Sequence, residues 1–319
     1  MSRKQDRLRF LRTISLGCFS LIVVTSNAGP GLLDPTFAPT VNGSVYATAV
    51  QPDGRIVLGG AFTAVNGSSS RYHLARLFGD GSLDPTFFNT GSGVSSTVWC
   101  LAVQTDSRIV IGGDFTSVNG TTRTRVARLN SSGALDGSFV PTNTLTGSVL
   151  ALAAQSDNKV IIGGSFSGTG FPAYNARLNA DGTVDTAFSS YPNGAVNAIG
   201  IQSDGKIVIG GAFTTVNGAS RYRIARLNTD GSLDNTFQNG LGGASATVRC
   251  LQIQTDGKIL IGGDFTTVNG TSRGYVARLT STGGLDTGFA SSPGANAAVY
   301  ALALQPDSSV VIGLSLIHI

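Results

Sequence analysis

Short apolar runs alternate with turns bearing Gly and Asp along almost the whole chain, and the same landmarks return in the same order. A Val-rich run ends in Gln at Gln51, Gln104, Gln155, Gln202, Gln254 and Gln305, and an Asp turn follows. A second run closes on a Gly-Gly pair at Gly59-Gly60, Gly112-Gly113, Gly163-Gly164, Gly210-Gly211 and Gly262-Gly263. A third carries Ala-Arg-Leu, and after another turn comes Leu-Asp-x-x-Phe or a near variant, as in Leu33 to Phe37, Leu83 to Phe87 and Leu233 to Phe237. Each unit therefore predicts a meander of up to four short strands. Asp53-Gly54, Asp204-Gly205 and Asp256-Gly257 supply the positive φ that tight hairpins demand, and Asp157-Asn158 can do the same. Runs such as Ile56 to Leu58 and Ile207 to Ile209 are apolar at successive positions, which suits a sheet packed on both faces.

The units recur about every 50 residues, a period that fits stacked propeller blades, whereas a β-helix has shorter coils. A longer repeat lies inside the short one. Gly59 to Gly210, Gly112 to Gly262 and Gly163 to Gly313 are offsets of 151, 150 and 150 residues, as if a block of three units had been copied once. The expected fold is all-β: a β-propeller of six four-stranded blades over 29–313, the last one truncated. Nothing in the repeat predicts Leu314 to Ile319, where a second Gly and then Ser-Phe are due. Those six residues match the translation of a common sequencing-adapter end, so 314–319 is read as a non-native tail, with the natural chain continuing beyond Gly313.

Composition supports this picture. There are 43 Gly, one Met and no Glu, so few residues favour helix, while 41% hydrophobic content is enough for a packed core. Residues 1–28 read as a secretory signal peptide: Arg3, Lys4, Arg7, Arg9 and Arg12, an apolar segment from Ile14 to Val24, and small residues up to a cut after Ala28. The apolar segment is short for a membrane span, which takes about 20 residues. Cys18 lacks the surroundings of a lipoprotein site. The formal charge of +4 belongs largely to this leader, because the remaining chain has 17 basic and 17 acidic residues. Nucleic acid and membrane insertion of the mature chain are accordingly not expected, and the expected location is extracellular or at the cell surface, with the periplasm an alternative.

Six recurrences of this unit, with Leu-Asp-Pro-Thr-Phe at 33 to 37 and 83 to 87, Gln-Pro-Asp-Gly-Arg-Ile-Val at 51 to 57 and Gln-Ser-Asp-Gly-Lys-Ile-Val at 202 to 208, resemble the delta-60 repeat. The resemblance spans about Leu32 to Gly313. It implies a secreted or surface-exposed bacterial β-propeller, often part of a larger protein, and it carries over no catalytic residue.

Candidate chemistry is sparse because almost every carboxylate falls on a repeated landmark. Arg76 and Asp84, Arg128 and Asp136, Arg177 and Asp185, Arg226 and Asp234, and Arg278 and Asp286 are each eight residues apart across a turn, a spacing for scaffold ion pairs. Asp114 and Asp264 follow Gly-Gly in equivalent units and stand apart, facing a loop or the channel. Asn228 to Asp234 places oxygen ligands at alternate positions, yet equivalent turns lose the central carboxylate and no distal Glu follows, so a turn is favoured over a calcium loop. His73 is the single His before the tail, which leaves neither a metal set nor a Ser-His-Asp set in view. Cys100 and Cys250 are expected as small core residues, since Ala fills their position in other units. No cofactor is implied. The candidate partner-binding rim comprises Asn66, Arg71, Asn119, Arg123, Asn217, Arg221, Asn269 and Arg273, in loops after Gly-Gly-x-Phe-Thr. The resulting expectation is a non-enzymatic interaction or scaffold module for an unknown protein or glycan. The alternative is a polysaccharide hydrolase or lyase with key residues further on.

Overall fold

The computed structural model describes residues 36–68, 71–88, 92–141, 145–238, 240–289, 294–305 and 308–314. The signal sequence, Asp34, Asp307 and 315–319 fall outside them. The described residues contain strands and turns and no helix. Among the described residues, five three-stranded antiparallel sheets and the two-stranded sheet of Val299–Leu304 and Val310–Leu314 follow one another along the chain, and four further two-stranded sheets are made of two-residue strands.

In blade one the inner strand Val45–Val50 pairs with the middle strand Ile56–Gly60, which pairs with Leu74–Leu77. The fourth strand is reduced to a single bridge, Leu77 to Leu83, and the same bridge recurs in the next four blades. Blade six ends with Val299–Leu304 and Val310–Leu314. Its second strand is only half buried, whereas the middle strands of the other blades are fully buried.

Burial of the middle strand explains its unbroken apolar sequence. Ile56 and Leu58 pack with Phe37 and Phe62, while Val57 faces the other way, into the cluster of blade two with Phe87, Val98 and Ile109. Each middle strand thus contributes to two interblade layers, and each fully buried Val, Leu or Ile contributes about 1.5–3 kcal/mol.

The two glycines of each pair have different tasks. A Cβ on the first would meet the inner-strand Val of the next blade: Val98, Val149, Val196, Val248 or Val299, with Cγ1 at 2.6–2.7 Å. A Cβ on the second would lie 2.0–2.1 Å from the carbonyl oxygen of Ser44, Thr97, Ser148, Ala195 or Thr247 in its own blade. This second approach accompanies a register shift on the inner strand. Val45 pairs with Gly60 and Ala47 with Gly59, so Tyr46 is the extra residue of a β-bulge. The same shift sets apart Trp99, Leu150, Asn197, Arg249 and Tyr300. In blade six, Leu314 takes the pairing position that a second glycine holds elsewhere.

Gly163→Ala is expected to lower the unfolding free energy by about 1–3 kcal/mol through overpacking against Val196. Gly137→Ala, with nothing within 4 Å of the new methyl, is expected to be neutral or to stabilise by up to about 1 kcal/mol. Urea unfolding of both variants measures the contrast; equal effects would contradict the interblade role of Gly163.

Candidate functional site: the channel mouth

The ion pairs expected from the eight-residue spacing are formed. Arg76 Nε donates to Asp84 Oδ2 at 2.9 Å, and the Arg128, Arg177, Arg226 and Arg278 pairs repeat this at 2.8–2.9 Å. The register is fixed locally, because the Asp84 amide donates to the Arg76 carbonyl. Each guanidinium also lies over the Phe of its own repeat, from 4.4 Å for Arg76 on Phe87 to 4.9 Å for Arg278 on Phe289. Four of them reach the next blade: Arg76, Arg128, Arg177 and Arg226 donate Nη1 to the carbonyls of Ser131, Ala180, Thr229 and Ser281. The basic residue just before the middle strand adds a second cation to the carboxylate, as Lys159 does at Asp185 and Lys206 at Asp234, at 2.8 and 2.9 Å. These groups bind blade to blade.

Burial acts to raise the pKa of these aspartates, but hydrogen bonds and the cations outweigh it, and all five are lowered. Asp136 falls to about 2 under hydrogen bonds from Ser138 and Arg128.

The asparagines of the predicted rim are also structural. Asn66, Asn119, Asn217 and Asn269 have φ of 48–49° ahead of a Gly with positive φ, the geometry of tight hairpin turns. Their Oδ1 atoms accept the backbone amides of Thr40, Gly93, Tyr191 and Gly243, which tether the linker entering the blade. Arg71 is buried. Arg123, Arg221 and Arg273 donate to the carbonyls of the preceding residues Thr122, Ser220 and Ser272. Cys100 and Cys250 form no disulfide, and each directs its Sγ to the carbonyl of the next blade, Val149 or Val299.

What the repeat does not dictate lies at the axis. The six bulge residues Tyr46, Trp99, Leu150, Asn197, Arg249 and Tyr300 line one cavity of about 200 Å³ together with inner-strand neighbours from all six blades. The position before each bulge is always Val and the position after it is Ala or Cys, yet the bulge position carries five different residue types in six blades. A purely structural requirement would have repeated there too.

Two aspartates set this mouth. Trp99 Nε1 donates to Asp114 Oδ2 at 2.7 Å, and Ser148 of the next blade donates to Asp114 Oδ1 at 2.5 Å. Three blades on, Arg249 Nε donates to Asp264 Oδ1 at 2.6 Å. The same Asp after Gly-Gly therefore orients a different bulge residue in each copy. Tyr46 and Trp99 have ring centroids 4.3 Å apart, tilted by 41°, and the Arg249 guanidinium lies 4.7 Å from the Tyr300 centroid. Among the described residues no cluster of three His, Cys, Asp or Glu is placed to hold a metal.

A larger groove of about 650 Å³ lies between blades four and five, at the end of the inner strands where the Asp turns sit. Its polar walls include Gln202, Lys206 and Arg226, residues already committed to Gly257, Asp234 and Ser281. These are repeated scaffold contacts, so the smaller channel mouth is the better candidate.

A family model described as a domain of unknown function (DUF5122) beta-propeller matches residues 51–87, 104–139, 155–188, 202–237 and 254–289, more than half of the chain. The chain belongs to this DUF5122 beta-propeller family. Each match runs from the Gln that ends an inner strand to the Phe of Leu-Asp-x-x-Phe or its variant, so the family unit omits the bulge residues. No curated protein matches in sequence. Among solved structures, the WD40 beta propeller domain of Doa1 is 14% identical over 86% of this chain and 91% of its own, with a TM-score of 0.54. Virginiamycin B lyase from Staphylococcus aureus is 12% identical over 86% of this chain and 80% of its own, with a TM-score of 0.52. These likenesses show the propeller fold alone.

The lowered aspartates of the DUF5122 units make stability depend on pH in one direction. Their contribution is fully present above the unfolded value of about 4 and is lost as pH falls toward the native value, about 2 for Asp136, because the unfolded chain binds more protons in that window. Thermal midpoints from pH 7 down to 2 are expected to fall mainly below pH 4. A midpoint independent of pH across that window would contradict the pairing.

Proposed function

We propose that this chain is an exported, non-catalytic recognition propeller that binds its ligand at the channel mouth. One observation carries the reading: six β-bulges, repeated by the fold, present six side chains that do not follow the repeat. Ligand sites combine apolar and aromatic walls with a few placed polar groups, which is the make-up of this cavity. The basic-apolar-small pattern of residues 1–28 supports export, and the delta-60 resemblance agrees with a secreted interaction module.

Asp114 and Asp264 at the same mouth favour a second reading, a hydrolase or lyase acting on polysaccharide. Against it, Trp99 and Ser148 already donate to both oxygens of Asp114, and Arg249 holds Asp264. Those carboxylates are suited to orienting side chains more than to exchanging protons with a substrate.

The exported protein is expected to begin at Gly29 by intact mass and to release no reducing ends from soluble polysaccharides. Release of reducing ends that disappears in Asp114→Asn would establish the enzymatic reading instead.

A further inference from the structure

We infer that the ligand of the channel mouth is an uncharged sugar residue, held as the terminal ring of a glycan. The inference rests on the recognition reading above and names the chemistry of the site.

Size restricts the ligand first. The cavity is small, about 200 Å³, and opens to solvent, so its walls take a single ring while the rest of a larger molecule stays outside. The distribution of side chains restricts it further. In blade order, Tyr300, Tyr46 and Trp99 come from blades six, one and two, while Asn197 and Arg249 come from blades four and five. The paired rings of Tyr46 and Trp99, and Tyr300 under the Arg249 guanidinium, thus stand with the Asn197 amide in one small cavity. A ligand with an apolar C–H face and a hydroxylated edge matches both.

Charge excludes the main competitors. The Arg249 guanidinium already lies over the Tyr300 ring, so a quaternary ammonium would meet a resident cation at that aromatic face. Arg249, the charged side chain among the cavity's lining residues, is already neutralised by Asp264 at 2.6 Å, which leaves little uncompensated charge for an anion. A neutral polyol ring avoids both penalties. The Tyr46 and Trp99 rings, fixed by the bulge and by Asp114, offer a preorganised surface that loses little side-chain freedom on binding.

Trp99 is the only tryptophan of the chain, so its emission reports directly on the mouth. The test titrates the full chain with glucose, galactose, mannose and N-acetylglucosamine, each as free sugar and as methyl glycoside. Tetramethylammonium and benzoate serve as charged probes, and calorimetry is run in parallel. At least one sugar is expected to bind with millimolar affinity and shift the emission, and its methyl glycoside to bind as well, as a terminal residue requires. Asn197→Ala is expected to weaken that binding about tenfold with an unchanged urea midpoint. Binding of the free sugar but not of its methyl glycoside would overturn the glycan-terminus assignment. A response to tetramethylammonium or benzoate and to no sugar would overturn the sugar and leave the mouth as the site. Sugar heats that persist unchanged in Asn197→Ala and leave Trp99 emission unaltered would place the site elsewhere, and no response to any probe by either method would overturn both readings.

Discussion

The closest constraint in the molecule is the approach of the second glycine of each pair to a carbonyl oxygen of the neighbouring inner strand. A methyl there would sit 2.0–2.1 Å from that oxygen in five blades, a separation that no packing adjustment of a side chain relieves, because the obstacle is backbone. In those five blades hydrogen in place of Cβ admits the close carbonyl at the point where the inner strand runs one residue longer than its partner; blade six keeps the bulge at Tyr300 with Leu314 in that place, so the glycine sets the closeness of the approach and not the bulge itself. The first glycine performs the complementary task outward, admitting the valine of the next blade. Where it occurs, Gly-Gly is thus a two-sided joint: one side closes blade on blade, and the other brings the backbone ahead of the bulge close to the middle strand.

The scaffold is held together without help from that axial side chain. Each buried arginine joins the aspartate of its own hairpin to a ring of its own repeat, and four reach a carbonyl of the next blade. A buried ion pair of this kind offsets its own desolvation more than it adds net stability, but leaving it half-made is costly, so it selects one register and one blade spacing. Repeat proteins accumulate such nearest-neighbour terms along the chain. The six mouth residues are therefore free to diverge while the rest of the unit is held to pattern.

This division explains what the sequence made legible. Strand order, turns, the propeller class and the arginine–aspartate pairs were readable because each recurs at a fixed spacing, as Arg76 and Asp84 show. The fourth strand shrank to one bridge, since the Leu-Asp element leaves the hairpin immediately at its turn. Asn66 and its equivalents are expected at a partner-binding rim because they are amides beside arginines, and the structure gives them a turn role as well. Their positive φ and the amides 26 residues upstream that they accept are long-range facts, absent from local pattern. The bulge positions are hidden for the opposite reason: they are the inner-strand position where the residue type varies most, from Tyr and Trp to Leu, Asn and Arg. Aligning the six units on Val45, Val98, Val149, Val196, Val248 and Val299 and asking which next residue varies would have found Tyr46, Trp99, Asn197, Arg249 and Tyr300.

The most direct measurement is the Trp99 emission spectrum and urea midpoint of Gly113→Ala, which places a methyl 2.1 Å from the Thr97 oxygen, immediately before the bulge that carries Trp99. The methyl is expected to displace the Thr97 carbonyl and the strand that carries Trp99, weaken the hydrogen bond from the indole to Asp114, shift the emission to longer wavelength and lower the midpoint. A Gly113→Ala protein with the parent spectrum and the parent midpoint would contradict the claim that the second glycine sets the backbone at the mouth.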